Sequence, residues 1–366
     1  MRTIPKEFVT CPIVYAVGNT YQIIVPVNCE TVMWVQVGDR CFYDDSNGVF
    51  RSNCTTHRMT VPVALLEQEK HYTVCYRVIR ERKPYFTDAG DVLCFASDFR
   101  PPTRQPLRIY QIADAHNRVE TPIAAAKHFE KELDLLILNG DIPNHSGDIS
   151  HFTAIHRIAA ELTEGEIPVV FSRGNHDTRG VYAEDLADHT PTDAGRSYYT
   201  FRTGHVWGIV LDCGEDKDDN HPEHGHTVCC TDFRQRQTAF IQEVIENRKA
   251  EYEADGVKNR LVVCHIPFTE KNDPPFEEDT YAEWTRLLRE HIHPQLMLCG
   301  HIHECYVSEV GCERDYRGQP CPVVVASNPE PDGSFWGGGL TLLPNRCRVE
   351  FTHSNGETVF ARELLF

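Results

Sequence analysis

Two kinds of apolar pattern divide the 366-residue chain. Over residues 1–100, short runs such as "TYQIIVPV" and "ETVMWVQV" are rich in β-branched and aromatic side chains, and a turn cluster, "YDDSNGVF", follows them. No helical period of useful length interrupts these runs, so this part predicts an all-β unit. Three prolines in "RPPTRQP" cannot continue a helix or a central strand, and residues 101–106 read as a linker. From residue 107 to 366 the pattern alternates. "LRIYQIAD", "LDLLILNGD" and "PVVFS" are apolar enough for strands covered on both faces. Between them, "TPIAAAKHFEKE" places Ile123, Ala126, Phe129 and Leu133 on one helical face, with Thr121 as N-cap and Pro122 at the first helical position. "DISHFTAIHRIAAEL" does the same with Phe152, Ile155, Ile158 and Leu162. Further strands at "HVWGIVLDC", "RLVVCHIP" and "QLMLCG" alternate with helices within "DFRQRQTAFIQEVIENR" and around "YAEWTRLLREHI", and the chain ends in β-runs. An α/β catalytic unit after a small β-unit is the predicted architecture.

Around "LLEQEKHYTVCYRVI", Tyr72, Val74, Tyr76 and Val78 alternate, and Leu66 precedes Tyr72 by six residues. This spacing resembles the tyrosine corner of immunoglobulin-like and fibronectin type III sandwiches, which implies that fold for residues 1–100.

Charge narrows the partners. The formal net charge is −18, from 54 acidic and 36 basic residues, which argues against nucleic-acid polymers and anionic membrane surfaces. Any phosphate that binds must meet a local reversal of that field. Fifteen cysteines, an odd number, cannot all pair within the chain, and no CxxC motif occurs. With no apolar targeting region in "MRTIPKEFVT" and no long apolar run, the expected setting is the cytoplasm, with thiols reduced and most cysteines acting as small buried hydrophobes.

Polar residues collect where the predicted strands of the second unit end, the edge at which open α/β sheets bind ligands. They are Asp114 and His116 in "ADAH", Asp141 in "NGD", Asn175 and His176 in "GNHD", His265 in "VCHIP", and His301 and His303 in "CGHIH". Carboxylates, an amide and imidazoles in this proportion suit two borderline divalent cations such as Mn, Fe, Zn or Co, whereas a structural zinc would want thiolates and Ca or Mg mostly oxygen. Gly140, Gly174 and Gly300 each precede one of these residues, where a glycine permits a sharp turn.

In that order the five motifs D-x-H, G-D, G-N-H-D, a lone His after a strand, and G-H-x-H resemble the calcineurin-like metallophosphoesterase superfamily, over residues 107 to about 305. The resemblance implies a four-layer αββα sandwich with the trailing strands in its second sheet. It implies that Asp114, His116 and His303 hold one metal, that Asn175, His265 and His301 hold the other, and that Asp141 bridges. His176 would then face the leaving group, with Asp177 orienting its ring. Purple acid phosphatases share a sandwich-then-phosphoesterase layout but use D-x-G and a Tyr three residues after the bridging Asp. Here His116 and Asn144 stand in those places, which implies two divalent ions or a mixed pair and no purple ferric site.

Two divalent ions leave this site net positive after Asp114, Asp141 and a bridging hydroxide, so it can bind phosphate on an acidic chain. The expected reaction is attack of that hydroxide on a small phosphate ester, with phosphomonoesters ahead of phosphodiesters or nucleotide pyrophosphates. A non-catalytic protein-binding scaffold is the reading from another class, and it fits worse because no ligand position is missing. Manganese is among the expected metals, and no protein partner is indicated. Arg173 and Arg179 are candidates for phosphate contact, weighed equally against structural ion pairs. Asn144 and His145 read as loop residues with a possible supporting role. The His-rich segment 214–230 reads as a solvated loop, with a lid or an extra metal site as alternatives.

Overall fold

A computed structural model describes residues 3–272 and 275–366. Most strands join one large sheet of two limbs. One limb orders its strands Phe335–Leu343, Leu107–Ile112, Leu135–Asn139, Pro168–Ser172, Ile13–Val17, Thr20–Pro26 and Thr56–Pro62. The other runs Tyr199–Thr203, Val206–Leu211, Asn259–Cys264, Leu296–Cys299 and Val323–Pro329, and the limbs join where Ser327 pairs with Gly337. The strands that carry site residues pair in parallel, for example Ile109 with Leu135 and Leu136 with Val169.

Their apolar character follows from what covers them. Leu107, Ile109, Leu135, Ile137 and Val170 face Val206, Val210, Leu261, Val263, Leu298 and Val324 in a core between the limbs. The alternate residues, such as Leu136, Leu138 and Val169, pack under the helices Glu120–Ala126 and Thr153–Thr163. On the far side, Ile209, Val262 and Met297 pack under Cys230–Glu246 and Glu278–Leu287. This is the four-layer αββα sandwich. Each fully buried Val or Leu contributes roughly 1.5–3 kcal/mol. Among the described residues, no helix is long and apolar enough to cross a membrane.

The first 100 residues form a β-sandwich, but one of its sheets is not its own. Ile13–Val17 hydrogen-bonds in parallel to the catalytic strand, pairing Val14 with Pro168 and Tyr15 with Val169. The facing sheet comprises Leu93–Asp98, His71–Glu81, Thr31–Val37 and Arg40–Tyr43, and its Met33, Val35, Tyr72 and Val74 share the core that lies between the limbs. The segment expected to act as a linker is held in place: Pro101 and Pro102 are buried, and Arg100 donates to Asp134 Oδ1 at 2.9 Å. The Tyr72 hydroxyl stands where the resemblance places a tyrosine corner. It donates to the Gly165 carbonyl at 2.8 Å, across the junction.

Two helical details differ from expectation. A short helix, Val63–Glu69, interrupts the β-region and buries Val63 and Leu66. The first catalytic helix begins at Glu120, so Thr121 lies inside its first turn and is not the cap.

Candidate metal centre

The limbs are stitched together directly beneath the site. Asn139 Nδ2 donates to the Leu298 carbonyl at 2.9 Å, and Gln111 Nε2 to the Cys299 carbonyl at 2.5 Å. Above these bonds five strands end, and the turns that follow hold one another: Asp114 N–H donates to the Gly140 carbonyl at 3.0 Å and Gly300 N–H to the His265 carbonyl at 2.8 Å. Asp114, His116, Asp141, His301 and His303 all adopt positive φ, between 46° and 70°. Non-glycine residues avoid that region at a cost of order 1–3 kcal/mol each, so its concentration here marks a functional site.

The expected side chains converge. Asp114, His116 and His303 form one group and Asp141, His265 and His301 a second, while Asp141 also groups with His116 and His176. In the first, His303 Nε2 lies 3.4 Å from Asp114 Oδ1 and 3.1 Å from His116 Nε2. In the second, His265 Nε2 lies 3.2 Å from Asp141 Oδ2 and 3.6 Å from Asp114 Oδ1. Asn175 is buried, and its Oδ1 lies 3.0 Å from His301 Nδ1. Asp114 Oδ1, His116 Nδ1 and His265 Nε2 are buried without a hydrogen-bond partner. Buried polar atoms are otherwise satisfied in folded proteins. Asp114 Oδ1 and His265 Nε2, orphaned 3.6 Å apart, are donors set for a cation, so the residues fit divalent metal ions.

Electrostatics agrees. Burial pulls His116 and His301 down to about 4, leaving neutral rings with free lone pairs. Burial also opposes a charge on His265, but the Asp141 and Asp114 carboxylates outweigh it and hold this ring up to about 10. Asp114 is kept well below the usual carboxylate range, because His265 and His303 overcome its burial. A cation is what the carboxylates seek.

Groups outside the two clusters hold the ligands. The Asn139 carbonyl lies 2.7 Å from His265 Nδ1, which leaves Nε2 for the centre, and the Ser327 hydroxyl donates to Asp114 Oδ2. Gly174 is required for space: a Cβ there would lie 2.2 Å from Asp141 Oδ1. Gly140, at φ +82°, is the glycine whose turn needs backbone freedom.

Asp177 does not orient His176. Its Oδ2 accepts from Gly174 N–H at 2.7 Å and Asp141 N–H at 3.2 Å, so it is fully buried as a brace for the two turns, and burial beside Asp141 raises its carboxyl to about 8. The His176 ring is instead held by the Asn144 carbonyl, 2.8 Å from Nδ1, with its other nitrogen 4.0 Å from Asp141 Oδ2. His145 stays outside the centre, its carbonyl against His151 Nδ1.

Neither arginine is free. Arg173 Nε donates to Asp212 Oδ2 at 2.7 Å, and Arg179 donates to Glu215 at 2.7 Å and Asp216 at 3.1 Å. The His-rich segment therefore supplies a wall through its acids. Asp216 Oδ2 lies 4.0 Å from His301 Nε2, and Lys217 pairs with Asp216 and Glu223. Asp212, Glu215 and Asp216 were missed as neighbours of the site, although they too follow a strand, "HVWGIVLDC". The imidazoles of His221 and His224 form no ligand cluster among the described residues.

A fold of two facing β-layers flanked by helices, with an Asp/His/Asn cluster on its strand ends, defines a metallophosphoesterase. The calcineurin-like phosphoesterase profile matches residues 107–305, more than half of the chain, and the protein belongs to that family. It is 23% identical over 205 residues to a probable cyclic nucleotide phosphodiesterase of Moraxella catarrhalis, covering 53% of this chain and 66% of that one. It is 26% identical over 186 residues to the serine/threonine-protein phosphatase CPPED1 of Danio rerio, covering 45% and 56%. The chain thus spans about three fifths of these relatives' lengths. Among solved structures, a purple acid phosphatase from yellow lupin seeds superposes with a TM-score of 0.62 at 12% identity, covering 97% of this chain and 74% of that one. PhoD superposes at 0.58 and 10%, covering 99% and 94%. Both likenesses span the β-sandwich and the catalytic layers.

Proposed function

We propose that the chain hydrolyses a small phosphate ester with two divalent ions, of Mn, Fe or Zn type, held as the two residue groups divide. The carrying observation is the pair of buried, unpartnered donor atoms Asp114 Oδ1 and His265 Nε2, 3.6 Å apart where the two residue groups meet. When bound, such ions supply a water of lowered pKa and the positive charge that clamps a phosphoryl group. Asp141, which belongs to both sides of the cluster, is the shared ligand, and Asn175 adds an oxygen without cancelling charge. His176 protonates the departing alkoxide as an imidazolium: Nδ1–H stays on the Asn144 carbonyl while Nε2, facing the open side with 32% of the side chain exposed, gives up its proton and leaves the ring neutral.

The cations bear on the ester type. A monoester brings two negative charges and a diester one, yet Arg173, Arg179 and Lys217 are each already paired with carboxylates, and Asp216 adds another negative charge beside His301. This supports phosphodiesters as the preferred class. Monoesters are the second reading, favoured by the exposure of His303, 48% of its side chain, which lets a phosphorylated surface approach. Fifteen cysteines support a thiol-reducing cytoplasm, and the charge of −18 supports small substrates over nucleic-acid polymers and membranes.

The test is a metal-loaded preparation given bis(p-nitrophenyl) phosphate and p-nitrophenyl phosphate in parallel. Hydrolysis that chelator removes and added metal restores is expected, with kcat/KM higher for the diester. Turnover that survives chelation would sink the metal reading, and a monoester preference would reverse the ester assignment alone.

A further inference from the structure

Fifteen thiols can be sorted by two questions: is a second thiol within reach, and can solvent reach either one? Cys75 and Cys94 answer yes to both. They lie directly opposite each other in the antiparallel pair of His71–Glu81 and Leu93–Asp98, with Sγ atoms 3.5 Å apart. Opposed residues in such a ladder have Cα atoms about 4.5–5.5 Å apart, inside the range a disulfide spans, so a sulfur–sulfur bond of about 2.05 Å needs side-chain adjustment and no strand movement. Cys94 is exposed, whereas Cys75 is 5% exposed.

Two contrasts isolate what is particular to this pair. Cys213 and Cys264 are as close, at 3.4 Å, but both are buried among the strands under the metal centre. Cys41, Cys229 and Cys312 are also exposed, but Cys41 stands opposite Gln36 and the other two lie in no strand, so none has a thiol set across a ladder from it. Only reach and exposure together allow an oxidant in solution to end in an intramolecular bond.

We propose that Cys75 and Cys94 are a site of oxidative modification, forming a cross-strand disulfide with a hydroperoxide as the two-electron oxidant. Cys94 reacts first: its sulfur takes one oxygen of the peroxide, the O–O bond breaks, and water or an alcohol leaves as Cys94 becomes a sulfenic acid. The Cys75 sulfur then attacks Cys94 Sγ, the S–O bond breaks, and the departing hydroxyl leaves as water with the Cys75 proton. In sum two thiols and one hydrogen peroxide give a disulfide and two waters. The order follows from position, since Cys94 meets solvent and Cys75 does not; burial beside Cys94 also pushes the Cys75 thiol up to about 12, which disfavours it as the first nucleophile. The bond closes the base of a segment whose tip carries Tyr85 and Phe86, 93% and 84% exposed. It thereby ties down the strands that present those rings.

The full-length protein is treated with hydrogen peroxide, its remaining thiols are alkylated, and it is digested without reductant for mass spectrometry. A Cys75–Cys94 linked peptide, two hydrogens lighter than its parts and removed by dithiothreitol, is expected at more than ten times any Cys213–Cys264 peptide. Cys94→Ser abolishes it. Cys75→Ser leaves Cys94 as a sulfenic acid that dimedone traps at least tenfold above wild type. The proposal is overturned if wild-type Cys94 accumulates dimedone adduct without the linked peptide, if Cys94 links chiefly to Cys41, or if Cys213–Cys264 oxidises equally. Because the wild-type peptide map alone decides among these, a variant that fails to fold does not rescue the idea.

Discussion

Two buried clusters in this molecule combine Asp and His in metal-like proportions, and they differ in one respect. In the sandwich, His57 is fully buried with Nδ1 2.7 Å from Asp44 Oδ2 and Nε2 2.8 Å from Thr31 Oγ1, while Arg51 lies 3.4 Å from Asp44. Cys54 Sγ, 3.8 and 3.9 Å from the two ring nitrogens, favours neither lone pair. Every ring nitrogen there has a protein partner. At the strand ends, Asp114 Oδ1 and His265 Nε2 have none, though they lie 3.6 Å apart. Residue type and proximity thus do not separate a structural ion pair from a ligand site. Unpartnered acceptor and ring atoms that face one another do.

The largest effect should come from Asp141, which joins both halves of the centre. Asp141→Asn removes several kcal/mol of charge stabilisation, so kcat/KM falls roughly 10³-fold or more. Titration calorimetry with Mn²⁺ should show weakened metal binding in the same variant, whereas Asp44→Asn leaves metal binding unchanged. Equal losses at the two positions would erase the distinction.

Next is His176→Ala. Loss of a general acid costs roughly 10²–10³-fold with a poor alkoxide leaving group and much less with an activated phenolate, which departs without a proton. A uniform loss across leaving groups would make His176 a positioning residue and not the acid.

What sequence revealed and what it hid divides along the same physical line. All seven proposed ligands could be read because each sits within four residues of an apolar strand end, a local signature. The brace formed by Asp177 could not. Adjacent residues in the 3₁₀ turn His176–Thr178 point in different directions, so nearness in sequence wrongly implied a His–Asp pair. The partners of Arg173 and Arg179 lie 39 and 36 residues further on, and the strand Ile13–Val17 carries no mark of its neighbour Pro168–Ser172. Apolar alternation fixes which face is buried, and long-range pairing is decided elsewhere.

The structural cluster has its own signature in pH. Burial works against a proton on His57, yet hydrogen bonds to Asp44 and Cys54 and their charges raise the ring from 6.5 to about 9. A folded-state value above the unfolded one means the stabilisation is complete below pH 6.5 and is lost as pH rises through 9. At about 1.4 kcal/mol per unit this amounts to about 3 kcal/mol. Urea unfolding of wild type between pH 6 and 9.5 should show that decline beyond whatever His57→Gln shows. Matching slopes would mean that His57 carries no charge in the folded protein.

The smallest expected effect falls on Arg179, and it tests whether pairing consumes a cation. Glu215 is 1% exposed and receives both Arg179 Nε and Nη2, so the guanidinium is spent on a carboxylate that would otherwise be buried unpaired. Arg179→Lys keeps charge near Glu215 but loses the bidentate fit, and should lower thermal stability while changing kcat/KM for a diester by less than about tenfold. A residue that clamps phosphate would behave oppositely. Its loss would raise KM by about 100-fold with stability little changed, since a charged hydrogen bond to substrate is worth about 1.5–3 kcal/mol. That result would return Arg179 to the binding site and restore monoesters as the preferred substrate, because a free arginine is what their second charge requires.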